Sequence, residues 1–188
     1  MSGGTAIKDP SGGGDGWMTP FPEWEEIRER YFRPYGLYGG VHGEILDPCP
    51  NLDRILPGTE IFQNPNGLSY RWDKPFFCNP PWSDIGPWAI QAARASAYGV
   101  MLLPARTDQA WYQRVAPLAR TVHIGGRINY INPATGTTQV IDKVSGKLKN
   151  GAISCPSMLL IFGTGHGVDC WTPDCHEATK SKVEAMSI

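Results

Sequence analysis

Phe76-Phe77-Cys78-Asn79-Pro80-Pro81-Trp82, followed by Ile85 to Tyr98 and then Gly99-Val100-Met101-Leu102-Leu103-Pro104, decides the fold class. Lys74 to Cys78 is short, apolar and closed by Asn-Pro-Pro, which predicts a strand cut off by residues that cannot continue a ladder. From Ile85, the residues Ile85, Trp88, Ala89, Ala92, Ala93 and Ser96 share one helical face, so the spacing predicts a helix over 85–98. Val100 to Leu103 is an unbroken apolar run, as expected of a strand buried on both faces. Strand, helix, strand in about thirty residues is a crossover unit with parallel strands.

The same alternation extends in both directions. Upstream, Gly43 to Asp47 reads as a strand ended by Pro48 and Pro50. Before it, Trp24, Ile27 and Tyr31 predict a helix over Pro22–Arg33 that Pro34 stops. Downstream, Asp108 is expected to cap a helix from Gln109 to Ala119. Thr121–Ile124, Arg127–Ile131 and Ser157–Phe162 read as further strands. Late strands without helices between them suggest an antiparallel edge. The expected architecture is α/β: a single compact mixed sheet with flanking helices, Rossmann-like, with ligands at the carboxyl ends of its strands. Residues 1–16 read as a flexible Gly/Ser-rich leader, 17–165 as the domain with a polar excursion over 132–151, and 166–188 as a tail.

Composition sets limits. The 188 residues carry 17 Lys and Arg against 18 Asp and Glu, so bulk charge cannot hold a polyanion, although a local basic face can. No apolar run approaches the roughly 20 residues of a membrane span, and no signal-like segment opens the chain, so a cytoplasmic location is expected. Five dispersed cysteines fit a reducing compartment. Cys170, Cys175 and His176 with His166 match no common zinc spacing, and no metal is expected; a polar tail is the simpler reading.

The chemistry lies in Asn79-Pro80-Pro81-Trp82, at a strand's carboxyl end. Asn79 offers an amide oxygen that accepts without being basic. Pro80 has a carbonyl and no N–H, and the two prolines stiffen the turn. Trp82 adds a flat face. Two converging acceptors and an aromatic wall suit a planar ring bearing an –NH2 group, such as a nucleobase. Bonding both amine hydrogens favours a tetrahedral nitrogen whose lone pair can meet an electrophile, by orientation and electrostatics rather than by a strong base. A stiff turn with a core tryptophan is the competing reading.

With these residues in view, the chain resembles the phage-type DNA N-6-adenine methyltransferases, the Dam-like family. The matching segments are Trp17-Met18-Thr19-Pro20, Ile45-Leu46-Asp47-Pro48, Asn66-Gly67-Leu68 with Trp72, Phe77 to Trp82 with Ile85-Gly86-Pro87-Trp88, Leu102 to Asp108, Gly126-Arg127 and Pro156-Ser157-Met158. The resemblance implies a methyltransferase fold and methyl transfer from S-adenosylmethionine to adenine N6 in DNA, by a phage protein in a bacterial cell. It implies a catalytic role for Asn79, Pro80, Pro81 and Trp82. It implies cofactor contacts from Trp17, Thr19, Pro20, Asp47, Pro48, Asn66 and Asn79. Two departures stand out: Pro48-Cys49-Pro50-Asn51 replaces a glycine-rich cofactor loop, and Asn66 stands where many relatives have an acid.

Duplex pairing buries N6, so the adenine must be flipped out or single-stranded. Candidate DNA contacts are Arg106, with Asp108 to orient it, Arg127 after Gly125-Gly126, and Lys143, Lys147 and Lys149 in the polar excursion. Read from the residues alone, the cradle serves cytosine N4, an RNA base or a protein amide equally well. A nucleic-acid-binding protein that has lost its cofactor site is a further alternative. Target sequence and oligomeric state are not legible.

Overall fold

A computed structural model describes residues 16–37, 45–52, 54–62, 66–133, 135–141, 145–150, 155–174 and 176. The leader expected over residues 1–16 falls, except for Gly16, outside the described residues, as do Lys143, Cys175 and residues 177–188 of the expected tail.

The domain is mixed α/β. Helix α1 (Phe21–Ile27) precedes strands β1 (Ile45–Asp47), β2 (Thr59–Ile61) and β3 (Phe76–Cys78). Helix α2 (Ile85–Arg94), β4 (Gly99–Pro104), α3 (Ala110–Val115) and β5 (Arg120–Ile124) follow. A ribbon of β6 (Gln139–Ile141) and β7 (Leu148–Asn150) comes next, then β8 (Ser157–Phe162) and β9 (Gly167–Trp171). Seven strands form one sheet in the order β2-β1-β3-β4-β8-β5-β9. Within it, β8 runs antiparallel to β4 and β5, and the other neighbouring pairs are parallel.

Alternation along the central strands makes two cores. Phe77, Val100, Leu102, Leu159 and Ile161 join Trp24, Ile27 and Phe32 on the α1 face. Phe76, Cys78, Met101, Leu103, Met158, Leu160 and Phe162 join Trp88, Ala89 and Val115 on the α2–α3 face. Every residue of β4 and β8 is buried, so both read as continuous apolar runs. At roughly 1.5–3 kcal/mol per buried large apolar side chain, these strands and helix faces hold the layers together. Gly99 is required here: a Cβ on it would lie 2.1 Å from the Phe76 ring, which crosses the start of β4.

Several expectations need correction. The antiparallel strand is interior, not an edge, because Ser157–Phe162 is apolar on both faces and needs cover on both. Arg127–Ile131 is not a strand. Gly126, at φ +81°, turns the chain off the sheet, and only Ile131 pairs, with Met18. Its alternation is still real: Ile128 and Tyr130 are buried, with Arg127 and Asn129 exposed between them. Pro34 does not stop the first helical stretch, which continues past α1 as a π turn (Arg28–Phe32) and a 3-10 turn (Arg33–Tyr35), ended by Gly36 at φ +77°. Helix α2 ends at Arg94, short of Tyr98. Helix α3 takes Gln109, not Asp108, as its N-cap. The sheet continues past residue 165: β9 pairs with β5, and Trp171 is buried against the α1 core. No helix among the described residues is long and apolar enough to cross a membrane.

Candidate functional site

Strand order fixes where a ligand can enter. The chain leaves β1 towards β2 on one side and returns to β3 on the other, so its direction of travel reverses between β1 and β3. Open sheets bind ligands in the crevice outside the carboxyl ends of strands at such a switch. Asp47 is the last residue of β1 and Asn79 the first after β3. Register pairs Leu46 with Phe76, so these two strand ends are neighbours.

Asn79 is bonded on both sides of its amide. Nδ2 donates to the Trp17 carbonyl at 2.8 Å and to Thr19 Oγ1 at 3.2 Å. Oδ1 accepts a long bond, 3.4 Å, from the Trp82 indole N–H. The Trp17–Thr19 segment is itself fixed. Met18 and Ile131 exchange two backbone bonds, of 2.9 and 3.0 Å, and Pro20 is the N-cap of α1. Among the described residues the Pro80 carbonyl has no partner. Sequence proximity gave no hint that residues 17–19 and 79 touch.

Trp82 is half-buried and packs against both cores. Its ring meets Tyr130 edge-on, with centroids 5.0 Å apart and planes at 84°. Tyr130 is buried and shares a 3.0 Å bond between its hydroxyl and Ser157 Oγ, at the start of β8. Because β8 is antiparallel, that start lies at the same sheet edge as Asn79. Tyr130 was not singled out from the sequence. Its only signal was the buried alternation with Ile128, which reads equally well as a core strand.

Asp47 is 5% exposed, and its Oδ1 accepts the Cys49 N–H at 3.0 Å. No cationic side chain pairs with it among the described residues. Burial pushes its carboxyl up from 3.8 to about 7, and the Cys49 N–H offsets only part of that. Burial likewise holds the Cys49 and Cys78 thiols up, so neither is a nucleophile at neutral pH. A buried carboxylate with one donor and no counter-charge suits a positively charged ligand group. Asn66 is brought in from the other side. It precedes the 3-10 turn Gly67–Ser69, and Gly67 is pressed on the loop after β1 so closely that a Cβ would lie 1.9 Å from the Pro48 carbonyl oxygen. Trp72 Nε1–H locks that turn by donating to the Gly67 carbonyl at 2.9 Å.

Trp17, Thr19, Asn79 and Trp82 are therefore in contact, Pro20, Pro80 and Pro81 adjoin them, and Asp47, Pro48 and Asn66 line up beside the neighbouring strand end. The expected DNA contacts are more scattered. Arg106 follows β4 and Arg127 follows β5, both exposed at the carboxyl edge. Asp108 does not orient Arg106; its Oδ2 accepts from the Gln109 side chain at 2.9 Å. Lys147 is exposed beside the β6–β7 ribbon. Trp88 is core, as expected. The segment after β9 is not a free tail: His176 Nδ1 meets the Gly125 carbonyl at 3.0 Å and its Nε2 meets Glu23 Oε1 at 3.2 Å. No metal-binding group of three side chains exists among the described residues. A cavity of about 370 Å³ lies at the opposite sheet edge, lined by Arg30, Tyr31, Tyr98 and Arg120 among others, and holds none of these residues.

A family model described as DNA N-6-adenine-methyltransferase (Dam) matches residues 7–162. No curated protein and no solved structure matches the chain.

Proposed function

The chain belongs to the DNA N-6-adenine-methyltransferase family, and from that premise we propose that it transfers a methyl group from S-adenosylmethionine to N6 of an adenine flipped out of DNA. The observation that carries this is the fixed Asn79 amide beside a Pro80 carbonyl that has no partner among the described residues, at the carboxyl end of β3. Asn79 Oδ1 and the Pro80 carbonyl accept the two hydrogens of the amine. That draws its lone pair out of conjugation with the ring and matches the positive charge that develops on nitrogen. The new N–C bond would form as the methyl–sulfur bond breaks and its electron pair stays on sulfur as a neutral thioether; the amine proton becomes acidic only then, so weak acceptors suffice to pass it on to water. Trp82 stacks on the base, worth roughly 1–3 kcal/mol against the cost of unstacking.

S-adenosylmethionine supplies a methyl group on a sulfonium centre. Asp47, buried and without a cationic partner among the described residues, holds a positive group of that cofactor, with Pro48 and Asn66 beside it and Trp17 and Pro20 at the facing segment. Catalysis is assigned to Asn79, Pro80, Pro81 and Trp82. Arg106, Arg127, Lys143 and Lys147 contact phosphates. The reversal of chain direction between β1 and β3 supports a Rossmann-like reading of the fold, with the catalytic domain running from Trp17 to the end of β9.

The test is incubation of the full chain with labelled S-adenosylmethionine and DNA, followed by nucleoside analysis. Label in N6-methyladenine is expected; label in N4-methylcytosine, or in protein, would replace the substrate named here.

A further inference from the structure

A carboxamide fits its site in two orientations that exchange oxygen for NH2, and its neighbours decide between them. At Asn79 the Trp17 carbonyl can only accept and the Trp82 indole can only donate. The observed orientation satisfies both, and the reversed one would oppose both. One bond, however, leaves the amide free to rock about its own axis. The second bond from Nδ2, to Thr19 Oγ1, fixes the amide plane and with it the direction in which Oδ1 presents its free lone pair. Donating both N–H groups also polarises the amide and makes Oδ1 a better acceptor.

Thr19 is built to hold still. It is 3% exposed. The two-bond bridge between Met18 and Ile131 fixes the chain just before it, and Pro20 restricts its backbone and starts α1 just after it. We propose that Thr19 is a positioning residue of methyl transfer, which acts through the Asn79 amide and not on the cofactor. This replaces the cofactor contact that the family resemblance implies for Thr19, and it rests on the reading of Asn79 as the acceptor of the target amine. A group that only orients another contributes to the transition state without contributing to cofactor affinity.

The experiment compares Thr19→Val, which keeps the shape and removes the acceptor, with Thr19→Ser, which restores it. Thr19→Ala is the second variant should valine unfold the segment. Turnover with labelled S-adenosylmethionine and DNA gives kcat, calorimetry gives the cofactor Kd, and hydrogen exchange of the Asn79 side-chain amide is followed by NMR. Expected for Thr19→Val is a kcat lower by about tenfold, the loss that one hydrogen bond's worth of orientation brings. Cofactor Kd should stay within about twofold, with Thr19→Ser close to the parent protein. A weaker Kd with unchanged kcat at saturating cofactor would overturn the proposal and make Thr19 a cofactor ligand. Unchanged values of both would overturn it too. If the parent protein transfers no methyl group, the Asn79 reading is what fails, and the amide exchange decides the positioning by itself. Faster exchange in Thr19→Val but not in Thr19→Ser supports it, and equal exchange in all three contradicts it.

Discussion

Replacing Asp47 with asparagine should make the ligand-free protein more stable near pH 8 while abolishing cofactor binding. The carboxyl is 5% exposed, has one backbone donor, and is pushed from 3.8 to about 7 by burial. Between those values the folded state holds a proton that the unfolded chain has released. The group therefore favours folding at low pH, and that contribution is lost as pH rises from about 4 to about 7. At 1.36 kcal/mol per pH unit, the ionised residue costs the free fold roughly 4 kcal/mol above pH 7. Asparagine removes that cost but introduces an NH2 in need of a partner, at roughly 1–3 kcal/mol. The balance is about 2 kcal/mol in favour of Asp47→Asn near pH 8 and close to zero near pH 5. Urea denaturation followed by tryptophan fluorescence at the two pH values measures it. Calorimetry adds the ligand side: cofactor should bind the parent protein more tightly as pH rises from about 6 to about 8, with proton release, and Asp47→Asn should show neither. A variant less stable than the parent near pH 8, or offset by the same amount at both pH values, would contradict a carboxyl raised by burial.

Two further outcomes follow from contacts beside the site. Gly67→Ala places a Cβ 1.9 Å from the Pro48 carbonyl oxygen, so the turn or the loop after β1 must move. We expect a loss above roughly 3 kcal/mol in denaturant titrations, or a weakened cofactor Kd if the loop yields instead. His176 points both ring nitrogens at acceptors, which raises its pKa above 6.5, chiefly through the Glu23 bond. A raised value means stability fully present below pH 6.5 and lost as pH climbs through the folded-state value. His176→Gln should therefore cost roughly 1.5–3 kcal/mol near pH 6 and much less near pH 9, read from thermal unfolding at both.

What could be read from the sequence was whatever obeys a local period or carries its own geometry. The runs at Val100–Leu103 and Ser157–Phe162 are apolar on both faces, and both are interior strands. Asn79-Pro80-Pro81-Trp82 ends a strand because two prolines cannot extend one. The corrections fall where partners come from far along the chain. Arg127–Ile131 alternates like a strand, but its partner surface is a core and a single bridge to Met18. Strand β9 has a mixed, mostly exposed pattern because it pairs at an edge, and only Trp171 turns inward. The site divides in the same way. The residue types of the cradle were visible, but their restraints were not: the bonds from Asn79 span about sixty residues to Trp17 and Thr19, and Tyr130 reaches Trp82 from a segment with no motif.

Methyl transfer as proposed depends on the Asn79 amide oxygen, held in place by the segment before α1, accepting the target amine. The most direct measurement is nucleoside analysis of DNA methylated by the parent protein and by Asn79→Ala, with the fold of each checked by thermal unfolding. N6-methyladenine formed by the parent and lost in a folded Asn79→Ala is expected; an undiminished rate in that variant would mean that the amide takes no part in the transfer.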